Sequence, residues 1–190
     1  MTVAEFLTWN PDDPSAHAWQ LIDGEPVAMA PASVDHGALH ASLGGHLWRH
    51  ATMPGQQCRA AIRPGIVPRL HSEHNFRVPA IGVTCAPSVG GQMLPDPLIL
   101  IEILSPTNQT ETWANVWTYL TLPTVREVLV VSGMRIEAKL LRRNANGAWP
   151  EIPIRIGPGD TLTLDSIGFT VPLTALYRTT TLATQEGTSP

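Results

Sequence analysis

Leu98-Ile99-Leu100-Ile101-Glu102-Ile103-Leu104 is a continuous apolar run interrupted by one acid. A run this short, with β-branched isoleucine at 99, 101 and 103, reads as a strand buried on both faces, which places it at the centre of a sheet. An ionised carboxylate in such a strand costs several kcal/mol after relaxation unless a cation, a metal or hydrogen bonds compensate it. Glu102 is therefore the most informative residue of the chain. It reads either as a metal ligand or general base at the end of a central strand, or as one half of a buried ion pair with Arg77 or Arg126. A strand that ends before position 102 is the remaining alternative.

Downstream of the run, Ser105-Pro106 breaks the strand, and Asn108 followed by Glu111 resembles a capping box opening a helix. Trp113, Val116, Trp117 and Leu120 give that helix an apolar stripe to lay on the sheet. Ser105 lacks the flanking glycines of a nucleophile elbow and is expected to help cap this helix instead. Arg126 to Val131 and Met134 to Arg142 read as two more strands, Asn144 to Gly147 as a loop, and the remainder as short strands ending at Tyr177. Upstream, Arg77 to Cys85 reads as a strand, and Arg59 to Leu70, punctuated by Pro64 and Pro68, as one or two edge strands. From Val34 to about Ala51 the leucines 39, 43 and 47 repeat at helical spacing, although Gly44 and Gly45 weaken that helix by roughly 1 kcal/mol each. Asp23-Gly24 suits the positive dihedrals of a tight turn between strands at Trp19 to Leu21 and Pro26 to Met29. Thr2 caps a short first helix through Val3, Phe6 and Leu7, ended by the proline- and aspartate-rich segment 10–15.

These elements make a mixed α/β, or α+β, domain: a central mixed sheet flanked by helices, with an N-terminal hairpin and C-terminal strands. With 190 residues the chain suffices for one domain, expected over 1–178, with 179–190 as a flexible tail. The formal charge of −4 gives no global basic field, so a nucleic-acid partner needs a local site, for which Arg59, Arg63, Arg69 and Arg77 are the available patch. Apolar runs fall far short of a membrane span, and the two cysteines, Cys58 and Cys85, with no leader-like start, suit a reducing cytoplasm rather than a disulfide framework.

Four histidines, His36, His40, His46 and His50, share one arc of the second helix, and two pairs have the i, i+4 spacing that can chelate zinc. The same arc carries the three leucines, so boundary histidines that satisfy nearby backbone groups are the stronger reading. His36, at the helix start, is the best placed to face a cleft. Trp113 and Trp117 fall on the apolar stripe and read as core rather than as stacking platforms.

The order of several stretches carries a resemblance. TVAEFL (2–7), WQLIDGEPVAMAP (19–31), a histidine shortly after, FRVPAIGVTC (76–85), LIEILSPTN (100–108) and VREVLVV (125–131) together resemble the Uma-two family of bacterial proteins described as restriction endonucleases. The similarity runs from about Thr2 to Tyr177. It implies a PD-(D/E)XK nuclease-like fold, in which acids on neighbouring strands hold Mg²⁺ or Mn²⁺ and DNA is hydrolysed. The family's central Glu falls on Glu102, the hairpin's second acid on Glu25 and the helix histidine on His36. Its first Glu falls on Gln20, its proline-aspartate on Pro79-Ala80, and the lysine of the following helix on Asn115. Three functional positions have lost their charge, so the ion would be held weakly. Asp96, in a Pro-Asp-Pro loop, reads as a solvated turn.

The implied site has Glu102 as metal ligand, Gln20 or Glu25 in support, Asn115 orienting water or phosphate, and Ala80 at the place of the missing acid. One reading is a metal-dependent endonuclease with a degraded site and weak or no activity. The other is an inactive nuclease-fold module that binds nucleic acid or protein. DNA is the implied partner, a homodimer is compatible with either reading, and no membrane is expected.

Overall fold

The computed structural model describes residues 1–11 and 18–185. Helix α1 (Val3–Thr8) opens with the expected capping box, in which Thr2 and Glu5 exchange side-chain and backbone hydrogen bonds. Strands β1 (Trp19–Ile22) and β2 (Glu25–Ala28) form an antiparallel hairpin. Its turn has Asp23 and Gly24 at positive φ, 47° and 89°, which suits the twist of two strands joined by two residues. The end of α1 expected at 10–15 falls partly outside the described residues.

Helix α2 (Val34–Ala51) follows, capped by Ser33, and buries Leu39, Leu43 and Leu47 as their spacing demands. Full burial of each stabilises the fold by about 2 kcal/mol. Gly44 does more than weaken the helix: a Cβ there would lie 2.9 Å from Ile62 Cδ1, so the glycine lets the sheet edge approach the helix.

The main sheet has six strands in the order β3 (Arg59–Ile62), β4 (Ile81–Thr84), β5 (Pro97–Leu104), β6 (Glu127–Ser132), β7 (Ala138–Arg142) and β8 (Ile154–Ile156). All neighbours are antiparallel except β5 and β6, which run parallel with Glu102 beside Val130. The run 98–104 is thus central, as its composition requires. Alternation along β5 sends Ile99, Ile101 and Ile103 into the core under α2, and Leu100 and Leu104 into the core under α3 (Gln109–Tyr119). Glu102 shares the even-numbered, α3 side. A second hairpin, β9 (Thr161–Leu164) with β10 (Phe169–Pro172), and the 3-10 turn Leu173–Tyr177 complete the core on the α2 side.

Four expectations need correction. The face α3 buries is Thr112, Asn115, Val116 and Tyr119, while Trp117 is 56% exposed. Periodicity locates a stripe but is blind to a polar group on the sheet that the helix must serve, and here Glu102 sets the rotation. The capping box at Asn108 does not form: its side chain instead accepts from the Ser105 amide at 2.7 Å and donates to Ile103 O at 3.2 Å. Ser105 accordingly caps nothing; its hydroxyl meets Thr107. Cys58 and Cys85 are joined in a disulfide. They are 27 positions apart in sequence, yet they continue the β3–β4 register by one step beyond the Arg59–Thr84 pair. Only strand pairing reveals that. Within the tail expected over 179–190, Thr181–Gln185 forms a short helix, α4, and 186–190 lie outside the described residues.

Candidate active-site cleft

A cleft of about 560 Å³ opens where β5 ends, between the start of α2 and the start of α3. Its lining includes Glu102, Ala80, Asn115, Glu111, His36 and His40, together with Arg63 at its rim.

Glu102 is 7% exposed, and no arginine clamps it. Its Oε1 accepts from the Tyr119 hydroxyl at 2.8 Å and from Asn115 Nδ2 at 3.3 Å, and the Ala80 amide also donates to the carboxylate. Burial pushes the Glu102 carboxyl up to about 7; these three hydrogen bonds oppose the rise and the neighbouring charge of Glu111 adds to it. The ion-pair reading of Glu102 is thereby corrected for both arginines. Arg77 donates to Asn115 Oδ1 at 3.2 Å and to Asn75 Oδ1 at 3.0 Å, steering the amide that meets the acid rather than the acid itself. Arg126 forms no ion pair with Glu102.

Gln20, fully buried on β1, donates through Nε2 to Glu111 Oε1 and accepts weakly from Asn115 Nδ2 at 3.5 Å. Glu102, Gln20 and Asn115 therefore meet in one hydrogen-bonded chain, although they lie on three separate elements. Ala80 is beside them: continuing the pairing of Ile81 with Ile101 by one residue sets it opposite Glu102. His36 lines the cleft with a ring that burial holds below the usual imidazole range, helped by the charges of His40 and Arg63. His40 is lowered for the same first reason and hydrogen-bonds Ala80 O at 2.7 Å.

Other expected site residues lie elsewhere. Glu25 is exposed on the hairpin and does not line the cleft. His50 serves Ile167 O at 2.8 Å, as a boundary histidine should, and His46 meets Arg49. Asp96 is exposed in its turn. The arginines do not make one patch. Arg59 holds the carbonyls of Ala86 and Pro87, Arg77 is buried, and Arg63 and Arg69 alone are exposed.

Sequence reasoning missed Glu111 and Tyr119 as site residues. A signal existed: Glu111, Asn115 and Tyr119 recur every four residues, a polar stripe along α3 that matches the single acid of the strand it covers. Burial pushes the Glu111 carboxyl up, against the pull of Arg77.

The donor set does not fit magnesium. A hard cation of this size wants carboxylates in near-octahedral order. Among the described residues no three His, Cys, Asp or Glu side chains are grouped to hold a metal. Ala80 offers no oxygen from its side chain, Glu102 has one oxygen engaged by two donors, and Glu111 is tied to Gln20.

The architecture is that of a nuclease fold. A crystal structure of a "putative nuclease belonging to DUF820" from Anabaena variabilis superposes with a TM-score of 0.74 over 93% of this chain and 97% of that one, at 18% identity. The family model Uma2, described as "Putative restriction endonuclease", matches residues 3–175, and the chain belongs to that family. An uncharacterized protein from Synechocystis is 25% identical over 177 residues, covering 92% of this chain and 90% of its own. No described helix is long and apolar enough to cross a membrane.

Proposed function

We propose that this is a restriction-endonuclease-like protein whose cleft receives DNA but has lost the carboxylate pair that would hold Mg²⁺ or Mn²⁺ for hydrolysis. The observation that carries the reading is the surroundings of Glu102: the residue opposite it is Ala80, which has no carboxylate, and the side chains that donate to it are the Tyr119 hydroxyl and the Asn115 amide. A proton must also leave Glu102 before a metal can bind, since its carboxyl titrates at about 7. Asn115 stands where a lysine would stabilise negative charge developing on the phosphate, and as an amide it supplies only a dipole. Gln20 and Asn115 then act as orienting groups for a bound phosphodiester, and His36 as a polar wall.

A second reading is favoured by Glu111, a carboxylate in the same cleft whose charge Glu102 feels. Released from Gln20, it would give the ion a second ligand and restore weak metal-dependent nicking. Calorimetric titration with Mg²⁺ and Mn²⁺ separates the two. Wild type is expected to bind at least tenfold more weakly than Ala80→Asp, and equal affinities would refute the placement of the missing acid. Plasmid DNA at low salt with Mg²⁺ is expected to remain uncut. Nicking that disappears in both Glu102→Ala and Glu111→Ala would establish the second reading instead.

A further inference from the structure

A second cavity, of about 530 Å³, adjoins the cleft and differs from it in chemistry. Its walls are aromatic: Phe6 and Trp9 from the first helix and its end, Trp19 from β1, and Phe76. Trp9 and Trp19 meet edge to face with centroids 5.0 Å apart, and Phe6 stacks on Trp9 at 6.0 Å. The indole N–H of Trp19 is buried with no acceptor among the described residues.

Both cavities share Ala18, Val78 and Arg63, so they meet at one point, and that point carries a cation. Arg63 is exposed and forms no ion pair among the described residues; its guanidinium meets only Met29 Sδ, at 3.6 Å. Its backbone is also unusual. Arg63 has a φ of +49° immediately before Pro64, although proline favours extended backbone in its predecessor and a side chain resists the left-handed region. A hydrogen bond from its amide to Ala80 O, 2.9 Å, holds it there. Strain of this kind persists where the surroundings impose it, and here it sets a cation with no ion-pair partner among the described residues between a polar cleft and an aromatic groove.

We propose that Arg63 holds a phosphate of single-stranded DNA and that the adjoining base lies in the groove of Phe6, Trp9 and Trp19, with the next phosphate directed toward Glu102 and Asn115. This rests on the reading that the cleft receives DNA, and adds which form of it. A base inside a duplex shows only its edges, whereas a base outside the stack offers a face to an aromatic wall. The negative charge of the whole chain fits as well. Affinity would come from stacking plus one cation, and would therefore fall only gently with salt, unlike binding by a broad basic surface.

The experiment is calorimetric titration of the full chain, at low salt and without metal, with a short thymidine oligonucleotide and with the same strand annealed to its complement. The single strand is expected to bind at least tenfold more tightly than the duplex. Trp9→Ala and Arg63→Gln should each weaken it roughly tenfold or more, while Trp48→Ala, which removes an exposed tryptophan of α2 that lines neither cavity, should leave it unchanged. Trp9→Phe, which keeps an aromatic face, should retain most of the affinity. Arg63→Gln alters a surface side chain, so it decides the matter even if Trp9→Ala fails to fold. Equal binding of strand and duplex, or an Arg63→Gln variant that binds like wild type, overturns the inference while leaving the DNA-binding cleft standing. Absence of binding to either form overturns both.

Discussion

Two buried acids on neighbouring strands of the sheet are treated in opposite ways. Glu127, on β6, is fully buried and fully answered: Arg142 Nε lies 2.7 Å from its Oε1, and the amides of Asp165 and Ser166 donate at 3.2 and 3.0 Å. Arg142 in turn meets Asp165 and Thr163 O, tying the C-terminal hairpin to the sheet. Glu102, on β5, is nearly as buried and has no arginine, lysine or histidine ion-pair partner among the described residues. Burial pushes its carboxyl up to about 7, and its neutral donors oppose that rise without cancelling it. A buried charge that has been neutralised by an arginine is architecture. One left to hydroxyl and amide donors beside an open cleft has the perturbed titration on which the proposed function rests.

The most forceful way to break this contrast is to delete Glu127. Glu127→Ala strands Arg142 and leaves two backbone amides without an acceptor, so it should destabilise the fold by about 3 kcal/mol, the lower end of the range for a broken buried pair because Arg142 retains some contact with water. Denaturant unfolding measures this directly. A loss below about 1 kcal/mol would mean that the pair is no more than a surface contact and that Glu102 is not special by comparison.

The next effect has the opposite sign. In the unfolded chain Glu102 loses its proton near 4.5, whereas the folded protein retains it until about 7. Between these values the native state binds the extra proton, so this group's contribution falls as pH rises through the window and is constant above it. The fall amounts to about 3 kcal/mol. Glu102→Gln, which cannot ionise, should therefore match wild type near pH 4, below both values, and exceed it increasingly as pH rises, by the full amount above about pH 7.5. Because other carboxylates change stability over the same range, the difference between the two proteins is the quantity to follow. A difference independent of pH would show that burial does not raise the titration of Glu102 above its unfolded value.

The same contrast explains which parts of the molecule could be read from the chain. Leu39, Leu43 and Leu47, the Asp23-Gly24 turn and the run at 98–104 are local patterns whose physical cause lies within a few residues, and the structure follows them. Glu102 was legible for the same reason, as an acid in an apolar strand. Its partners were not. Gln20 reaches Glu111 across 91 positions, and only the resemblance to a family pointed to it. On α3 the two tryptophans outweigh Asn115 and Tyr119 in apolar weight, so hydrophobicity alone gives the wrong phase, and the buried face carries Asn115 and Tyr119, which hydrogen-bond Glu102 of the sheet. Cys58 and Cys85 failed likewise, because a cross-strand neighbour exists only once β3 and β4 are paired. Arg63 is legible only as one of four arginines open to a nucleic acid; its backbone conformation, which the following proline disfavours, appears only in the fold.

The finest comparison concerns Tyr119, whose hydroxyl donates to Glu102 at 2.8 Å. That bond favours the ionised acid and holds its titration below where burial alone would set it. Tyr119→Phe preserves the ring that packs with Val116 and Leu100 and removes only this donor. Above about pH 7.5, where the acid is charged, the loss should be about 2 kcal/mol; near pH 5, where Glu102 is protonated and can turn its own hydrogen outward to water in the cleft, it should be about 1 kcal/mol. Unfolding at both pH values, with Glu102→Gln as the partner in a double-mutant cycle, isolates the coupling between the two groups. If the cost of losing the hydroxyl is the same at both pH values and unaffected by Glu102→Gln, the ring packs but the hydroxyl does not govern the acid. Asn115 would then be the side chain that decides whether the cleft presents a carboxylate or a carboxylic acid to whatever enters it.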